Sequence, residues 1–203
     1  MEQETKKKTP LWQKALYVVG GIVILIFLVS GNSSTLSENK KEEIRQTAYS
    51  DVLKELETNN YPTGMLGATY YMTQQEIREL FDDIEQFDSD ILARQTILYG
   101  RPIQVSYHFS DDRLLQIVAS FQEQFDSLDE MSATFYQTQE KLDVDYGQMS
   151  VTLNEIVPPK GDQWEDQQVL VAKKNLGRAS VIHQVSVKDN GIGEQFMMYL
   201  SNE

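Results

Sequence analysis

Between Lys14 and Glu38 the chain carries no charged side chain, and from Ala15 to Val29 it is almost wholly apolar, with no polar stripe. A helix apolar on every side cannot lie on the surface of a soluble domain; it requires lipid or deep burial. At about 1.5 Å of rise per residue, roughly 20 apolar residues cross a bilayer core. Residues 15–31 therefore read as a transmembrane helix, with Leu16, Ile22, Ile24, Ile26, Phe27 and Leu28 in the hydrocarbon and Trp12 and Tyr17 as interfacial anchors. Lys6, Lys7, Lys8 and Lys14 precede the span, whereas Lys40, Lys41 and Arg45 follow at a greater distance. This bias assigns residues 1–14 to a cytoplasmic tail and predicts a single-pass plasma-membrane protein with an extracytoplasmic C-terminal domain. The competing reading is a cleaved signal peptide, for which Val29-Ser30-Gly31 supplies small residues near a cut. The length of the apolar run and the lack of a lipobox cysteine favour a retained anchor.

The sequence contains no cysteine, which excludes disulfide scaffolds, thiolate zinc sites, iron–sulfur clusters and cysteine nucleophiles. A net charge of −13 excludes an ordinary nucleic-acid binder, because phosphate backbones are held mainly by Lys and Arg. The excess acid falls on the residues after the span, so the domain is expected to be well solvated and to favour a protein partner of basic character.

Residues 32–58 read as a Ser/Asn/Thr linker and a juxtamembrane helix. Thr35 and Glu38 have capping-box spacing, and Ile44, Ala48, Val52, Leu53 and Leu56 mark one face as far as Thr58. A loop carrying Tyr61, Gly64, Gly67, Tyr70 and Tyr71 follows. Thr73 to Glu76 is a strong capping box, and Ile77, Leu80, Phe81, Ile84, Phe87, Ile91 and Leu92 recur at three and four, which predicts a long buried helix. Ile103, Val105, Tyr107 and Phe109 alternate with polar residues and predict a strand. Ser110 reads as the cap of a further helix, with Leu114, Val118, Phe121, Phe125 and Leu128 at heptad spacing. Residues 131–142 fit either helix or strand.

After Gly147 the pattern turns to strands: Met149 to Leu153, Val169 to Val171, Ala179 to Val187 and Phe196 to Leu200. Pro158-Pro159-Lys160-Gly161, Asn175 to Arg178 and Asp189-Asn190-Gly191 mark the turns between them. Helices first and a C-terminal β-meander second is an α+β order. The expected architecture is a domain over residues 59–203 with two to three helices packed on an antiparallel sheet.

No Walker A loop, Gly-x-Gly-x-x-Gly, Gly-x-Ser-x-Gly or His-Glu-x-x-His occurs. His108 and His183 both fall on predicted strands and would form a paired site only if those strands are neighbours. His183 shares its face with valines and reads as a hydrogen-bonded core histidine; His108 lies on a polar face. Asp143-Val144-Asp145-Tyr146-Gly147 lacks the third acidic position and the distal Glu of a calcium loop. Accordingly no catalytic residue, metal ligand or cofactor is nominated. Loop aromatics are the better candidates, since amphipathic rings commonly make partner contacts: Tyr61, Tyr70, Tyr71, Tyr99 and Tyr136. Tyr70 and Tyr71 stand out, because adjacent rings cannot easily share one buried pocket.

These features point to a non-enzymatic anchored protein whose acidic outer domain binds a protein partner in a cell-envelope assembly. In order and size the layout is similar to the single-span, small α+β subunits of conjugative secretion machines, a similarity that covers no motif. The alternatives are an anchored immunity or inhibitor protein that neutralises a basic toxin or hydrolase, and an envelope enzyme of unrecognised type.

Overall fold

The computed structural model describes residues 37–123, 125, 127–154, 167–188 and 191–200. The span over 15–31 and its anchor residues lie outside them, as does the Pro158–Gly161 turn. Among the described residues no helix is long and apolar enough to cross a membrane. The chain divides into two compact units between Ala48 and Tyr49, inside the first helix.

The fold is α+β, with three helices and an antiparallel sheet of eight strands. Helix α1 (Glu38–Thr58) ends where its apolar pattern ends. A two-stranded ribbon, β1 (Gly64–Met65) and β2 (Ala68–Thr69), leads into α2 (Gln74–Leu80). The large sheet then comes in two meanders. The first holds β3 (Glu85–Asp88), β4 (Ile91–Leu98), β5 (Arg101–Ser110) and β6 (Arg113–Phe121). After α3 (Leu128–Tyr146) the second holds β7 (Ser150–Leu153), β8 (Gln167–Leu176), β9 (Ala179–Lys188) and β10 (Gly191–Leu200). The order β3-β4-β5-β6-β10-β9-β8-β7 joins the last strand of each meander, so the two first strands become the free edges.

Of two expected helices, the first is cut short and continues as strands, and the second is a strand. The capping box at Thr73 is present, with its side chain accepting from the Glu76 amide and Glu76 reaching back, but α2 stops at Leu80 and Phe81 is extended. Residues 91–98 pair with β5 along their whole length, and Leu92 is buried opposite Tyr107. Spacing of three and four cannot register that pairing, because ladder partners lie on another segment. In the second case Asp111 and Asp112 both take positive φ, 51° and 59°, and close a two-residue hairpin instead of starting a helix. In β6, Ile117, Ala119 and Phe121 face inward, and Val118 on the opposite face is apolar too. That apolar outward residue disguised the alternation.

Residues 128–146 resolve as helix, capped by Ser127, whose side chain accepts from the Glu130 amide. The expected four-stranded C-terminal meander is present, with its last strand, β10, beginning at Gly191 rather than Phe196. Its Met149 is buried, but β7 is an exposed edge.

The core lies between the helices and one face of the sheet. Val52 and Leu56 of α1, Ile77 of α2, and Met131, Phe135 and Leu142 of α3 form one apolar cluster with the inward residues of β4 to β6 and β8 to β10. Burial of each such side chain stabilises by about 1.5–3 kcal/mol.

Candidate functional site

The inner face carries one polar island. Arg101, at the start of β5, shares the parity of Ile103 and Val105 and so enters the core. Its Nη1 and Nη2 donate to the two oxygens of Glu194 on β10 at 3.0 and 2.7 Å. Its Nε donates to Glu123 at 2.7 Å, Nη1 to the Thr138 hydroxyl at 2.6 Å, and its guanidinium lies 3.9 Å over the Phe121 ring. Glu194 in turn faces Nε2 of His183 at 2.8 Å, and Nδ1 of His183 lies 2.8 Å from Oε1 of Gln139 on α3. The Gln139 amide donates to Asp143, which also accepts from the Met149 amide. Phe135 stacks on the imidazole at 4.1 Å.

Burial opposes charge on His183 and holds its pKa below the ordinary value, while the Glu194 carboxylate pulls the other way. Burial also pushes Glu194 upward, but hydrogen bonds from His183 and Arg101 outweigh it, and the carboxyl titrates below the usual range. His183 and Glu194 have fully buried side chains, so no solute reaches them and the island works as a structural clamp between α3 and the sheet. The expectation of a hydrogen-bonded core histidine holds for His183.

The outer face is different. Outward positions on β4 (Ile91–Ile97), β5 (Gln104–His108), β6 (Gln116–Ser120), β10 (Gly193–Tyr199) and β9 (Ser180–Ser186) include no Asp, Glu, Lys or Arg. Nearly a quarter of the whole chain is charged, at 24%. Val118 and Ala93 on this face are buried yet stand outside the core cluster, and Ser180, Gln184 and Ser186 are buried as well. Gln95, Gln104, Ser120, Gln195 and Gln184 lie directly opposite one another in register across those strands. Part of this row is hydrogen-bonded: Gln168 donates to Gln184 at 2.7 Å, Gln184 to Gln195 at 3.3 Å and Gln195 to the Ser120 hydroxyl at 3.1 Å.

Two rows further along the strands, His108, Gln116, Met197 and Tyr199 line a groove of about 470 Å³. Nε2 of His108 lies 2.9 Å from the Ser106 hydroxyl, and partial burial lowers the imidazole pKa. The two histidines do not pair, because β6 and β10 separate β5 from β9 and the rings point to opposite faces. Among the described residues no His/Asp/Glu group of three is placed to hold a metal ion. Asp143 caps the Met149 amide, and Asp145 accepts from the Tyr99 hydroxyl.

The tyrosines proposed for partner binding are dispersed. Tyr70 and Tyr71 diverge as their adjacency requires, but Tyr70 goes inside, 1% exposed, which corrects the expectation that it is available. Gly67 and Leu66, both with positive φ, turn the loop so that β2 drives Tyr70 into the core. Tyr71 stacks on Tyr49 at 4.2 Å and is half-buried. Tyr61 packs partly against the core, and Tyr99, at positive φ in the β4–β5 turn, is also half-buried. Tyr136 on α3 is 46% exposed.

Among the described residues the most exposed apolar side chains are Val144 on α3, 84% exposed, Phe87 on β3 and Leu153 on β7, each 72%, and Ile97 on β4, 66%; of these, Phe87 and Leu153 lie on the two edge strands. Sequence patterning placed Phe87 in a helix seam and Leu153 on a buried strand face, so neither was nominated. Compared with family models, curated proteins and solved structures, the chain finds no match.

Proposed function

We propose that the chain is a non-enzymatic, single-pass envelope protein, anchored through residues 15–31, whose outer domain holds a protein partner in a larger assembly. The observation that carries this reading is the pair of free edges. β3 and β7 are each four residues long and exposed throughout, and each adds a protruding apolar side chain, Phe87 or Leu153, to a backbone edge that pairs with no further strand among the described residues. Such an edge offers main-chain hydrogen bonds to an added strand and an apolar side chain to anchor it. The acidic composition favours a basic partner and speeds its encounter.

The test is recovery of the full-length protein from mild detergent with its bound proteins, set against Phe87→Glu and Leu153→Lys variants. A partner retained by the wild type and released by either variant supports the reading; a partner indifferent to both, or none retained, removes it. If capture is one-to-one and slows steeply with added salt, the inhibitor alternative is the better description. The enzyme alternative draws on the Ser106–His108 contact beside the groove. Against it, no carboxylate lines that groove to orient the imidazole.

A further inference from the structure

We propose that the β3 edge takes an extended basic segment of another protein, laid along Glu85–Asp88 as an added strand, with Lys or Arg at two alternate positions set against Glu85 and Asp88. This rests on the reading of the edges as the place where the partner is held, and it names which edge acts and what that edge recognises.

The bulge in β3 carries the inference. Glu85 pairs with Ala93 and Asp88 with Ile91, while the ladder shifts between Gln86 and Asp88, which leaves Phe87 as the extra residue. Ala93 and Ile91 are two apart on a regular strand and both face outward, opposite Ser106 and His108. Glu85 and Asp88 are three apart in sequence, and a regular strand would put them on opposite faces. The bulge returns both carboxylates to the outward face, at an interval that matches two residues of a neighbouring strand. A regular strand added to this edge meets them with its side chains at i and i+2.

Both carboxylates are available to it. Glu85 makes no side-chain hydrogen bond or ion pair among the described residues, and Asp88 accepts from the Ser89 amide at 2.7 Å. From Glu79 to Ala93 the chain carries Asp82, Asp83, Glu85, Asp88 and Asp90 and no Lys or Arg. The arginines on either side are engaged elsewhere. Arg94 lies 3.5 Å from Asp83, donates to the Tyr107 hydroxyl at 3.2 Å and sits 3.9 Å over the Phe81 ring, and Arg78 donates to Gln86.

Charge then selects the occupant. A second copy pairing through the same edge would bring Glu85 and Asp88 against like charges, which destabilises a ladder, and an acidic segment would meet the same repulsion. Bulges and edge charges are the ordinary protection of an edge strand against such pairing. A basic strand converts that protection into recognition. The β7 edge, Ser150-Val151-Thr152-Leu153, is uncharged and has no means of making this choice.

Phe87 supplies the apolar contact. Its ring, 72% exposed, lines a groove of about 240 Å³ together with Asp83, Glu85 and the buried Ala93. The stem of a Lys or Arg side chain can lie along that ring and carry its cation to Glu85.

The test uses the full-length protein in a zwitterionic detergent and three capped, end-labelled peptides followed by fluorescence anisotropy. The first is Thr-Val-Lys-Thr-Lys-Val-Thr, the second its isomer Thr-Val-Lys-Lys-Thr-Val-Thr, and the third Thr-Val-Glu-Thr-Glu-Val-Thr. The expected result is micromolar-to-millimolar binding of the first that weakens as salt is added, weaker binding of the isomer, and none of the glutamate peptide. Glu85→Gln and Asp88→Asn each weaken binding of the first peptide by about 2- to 5-fold, as loss of an exposed ion pair requires. Glu85→Lys combined with Asp88→Lys reverses the preference toward the glutamate peptide. Circular dichroism confirms folding of each variant, and Asp88→Asn, which keeps an acceptor for the Ser89 amide, covers the case in which the reversed variant does not fold.

Equal affinity for the two lysine isomers, absence of binding at low salt, or binding that Glu85→Gln and Asp88→Asn both retain in full overturns the proposal. So does a partner released by Leu153→Lys and indifferent to the charge-reversed β3; that outcome moves the added strand to β7 and leaves the protein-partner reading standing. Peptide binding as expected, with no protein retained in mild detergent, removes the assembly and leaves the β3 edge as assigned.

Discussion

Arg101 and Glu194, separated by 93 residues in sequence, meet through two parallel hydrogen bonds of 3.0 and 2.7 Å. The carboxylate is wholly buried and the guanidinium 12% exposed. This pair ties the first meander to the second at the point where β6 and β10 join them, and Thr138 fastens α3 to the same guanidinium.

Removing one member strands the other. Arg101→Ala leaves a buried carboxylate without its counter-charge and is expected to destabilise by about 3–5 kcal/mol. Arg101→Met with Glu194→Leu should recover most of that loss, because replacing both charges avoids the unpaired group. Urea midpoints of the single and double variants decide it; equal losses in both would mean that the charges themselves, not their pairing, stabilise the fold.

Acid should unfold the domain in two stages. Each ring nitrogen of His183 faces an oxygen, which favours a doubly protonated ring, but burial and the Arg101 guanidinium disfavour that charge and burial dominates. With the folded pKa below the unfolded one, the unfolded state takes up the proton first. The stability from the neutral ring is then complete above about pH 6.5 and is lost as pH falls below that value toward the folded pKa. Glu194, also depressed, contributes stability above its unfolded pKa that is lost as pH falls through its folded one. Stability measured from pH 8 to 4 should therefore be level at first and decline from near pH 6.5. His183→Gln should flatten the upper part of the decline; an unchanged profile would assign it elsewhere.

Tyr70 offers a stabilising substitution. Its hydroxyl is buried with no hydrogen-bond partner among the described residues, and burial raises its pKa. Tyr70→Phe removes a desolvated polar group and keeps the ring, so it should leave stability unchanged or raise it by about 1 kcal/mol. A loss above that amount in thermal or urea unfolding would show that the hydroxyl is satisfied.

Gly64 should tolerate no side chain. A Cβ built there overlaps the carbonyl oxygen of Ala68 on the paired strand. Gly64→Ala is expected to force β1 and β2 apart and cost about 1–3 kcal/mol, whereas Gly193→Ala, with open space around it on the outer face, should be close to neutral. Comparing the two melting temperatures tests the assignment.

The local signals in the sequence proved accurate where a feature depends on near neighbours. The Thr73 capping box, the alternating strand through Tyr107 and the end of α1 at Thr58 all involve residues within one or two turns of each other. The α+β class followed from the same short-range patterns. The buried part of the polar island was half legible: His183 could be read as a bonded core histidine from the valines around it, but Arg101 and Glu194 could not be matched.

Tertiary structure alone decided the rest, for a physical reason. Residues 81–92 and 110–121 carry apolar groups at helical spacing, yet the ladders of eight residue pairs that β4 and β6 each form with β5 gain more than isolated helices would. Apolar residues at outward positions, Ile91, Ala93 and Ile97 on β4 and Val118 on β6, broke the alternation by which a strand is recognised. The amide row exists only because β6 meets β10, a pairing between residues 75 positions apart in the case of Ser120 and Gln195. Composition determined that the chain is acidic and cysteine-free and carries one long apolar run; strand order determined which of its polar side chains stand together.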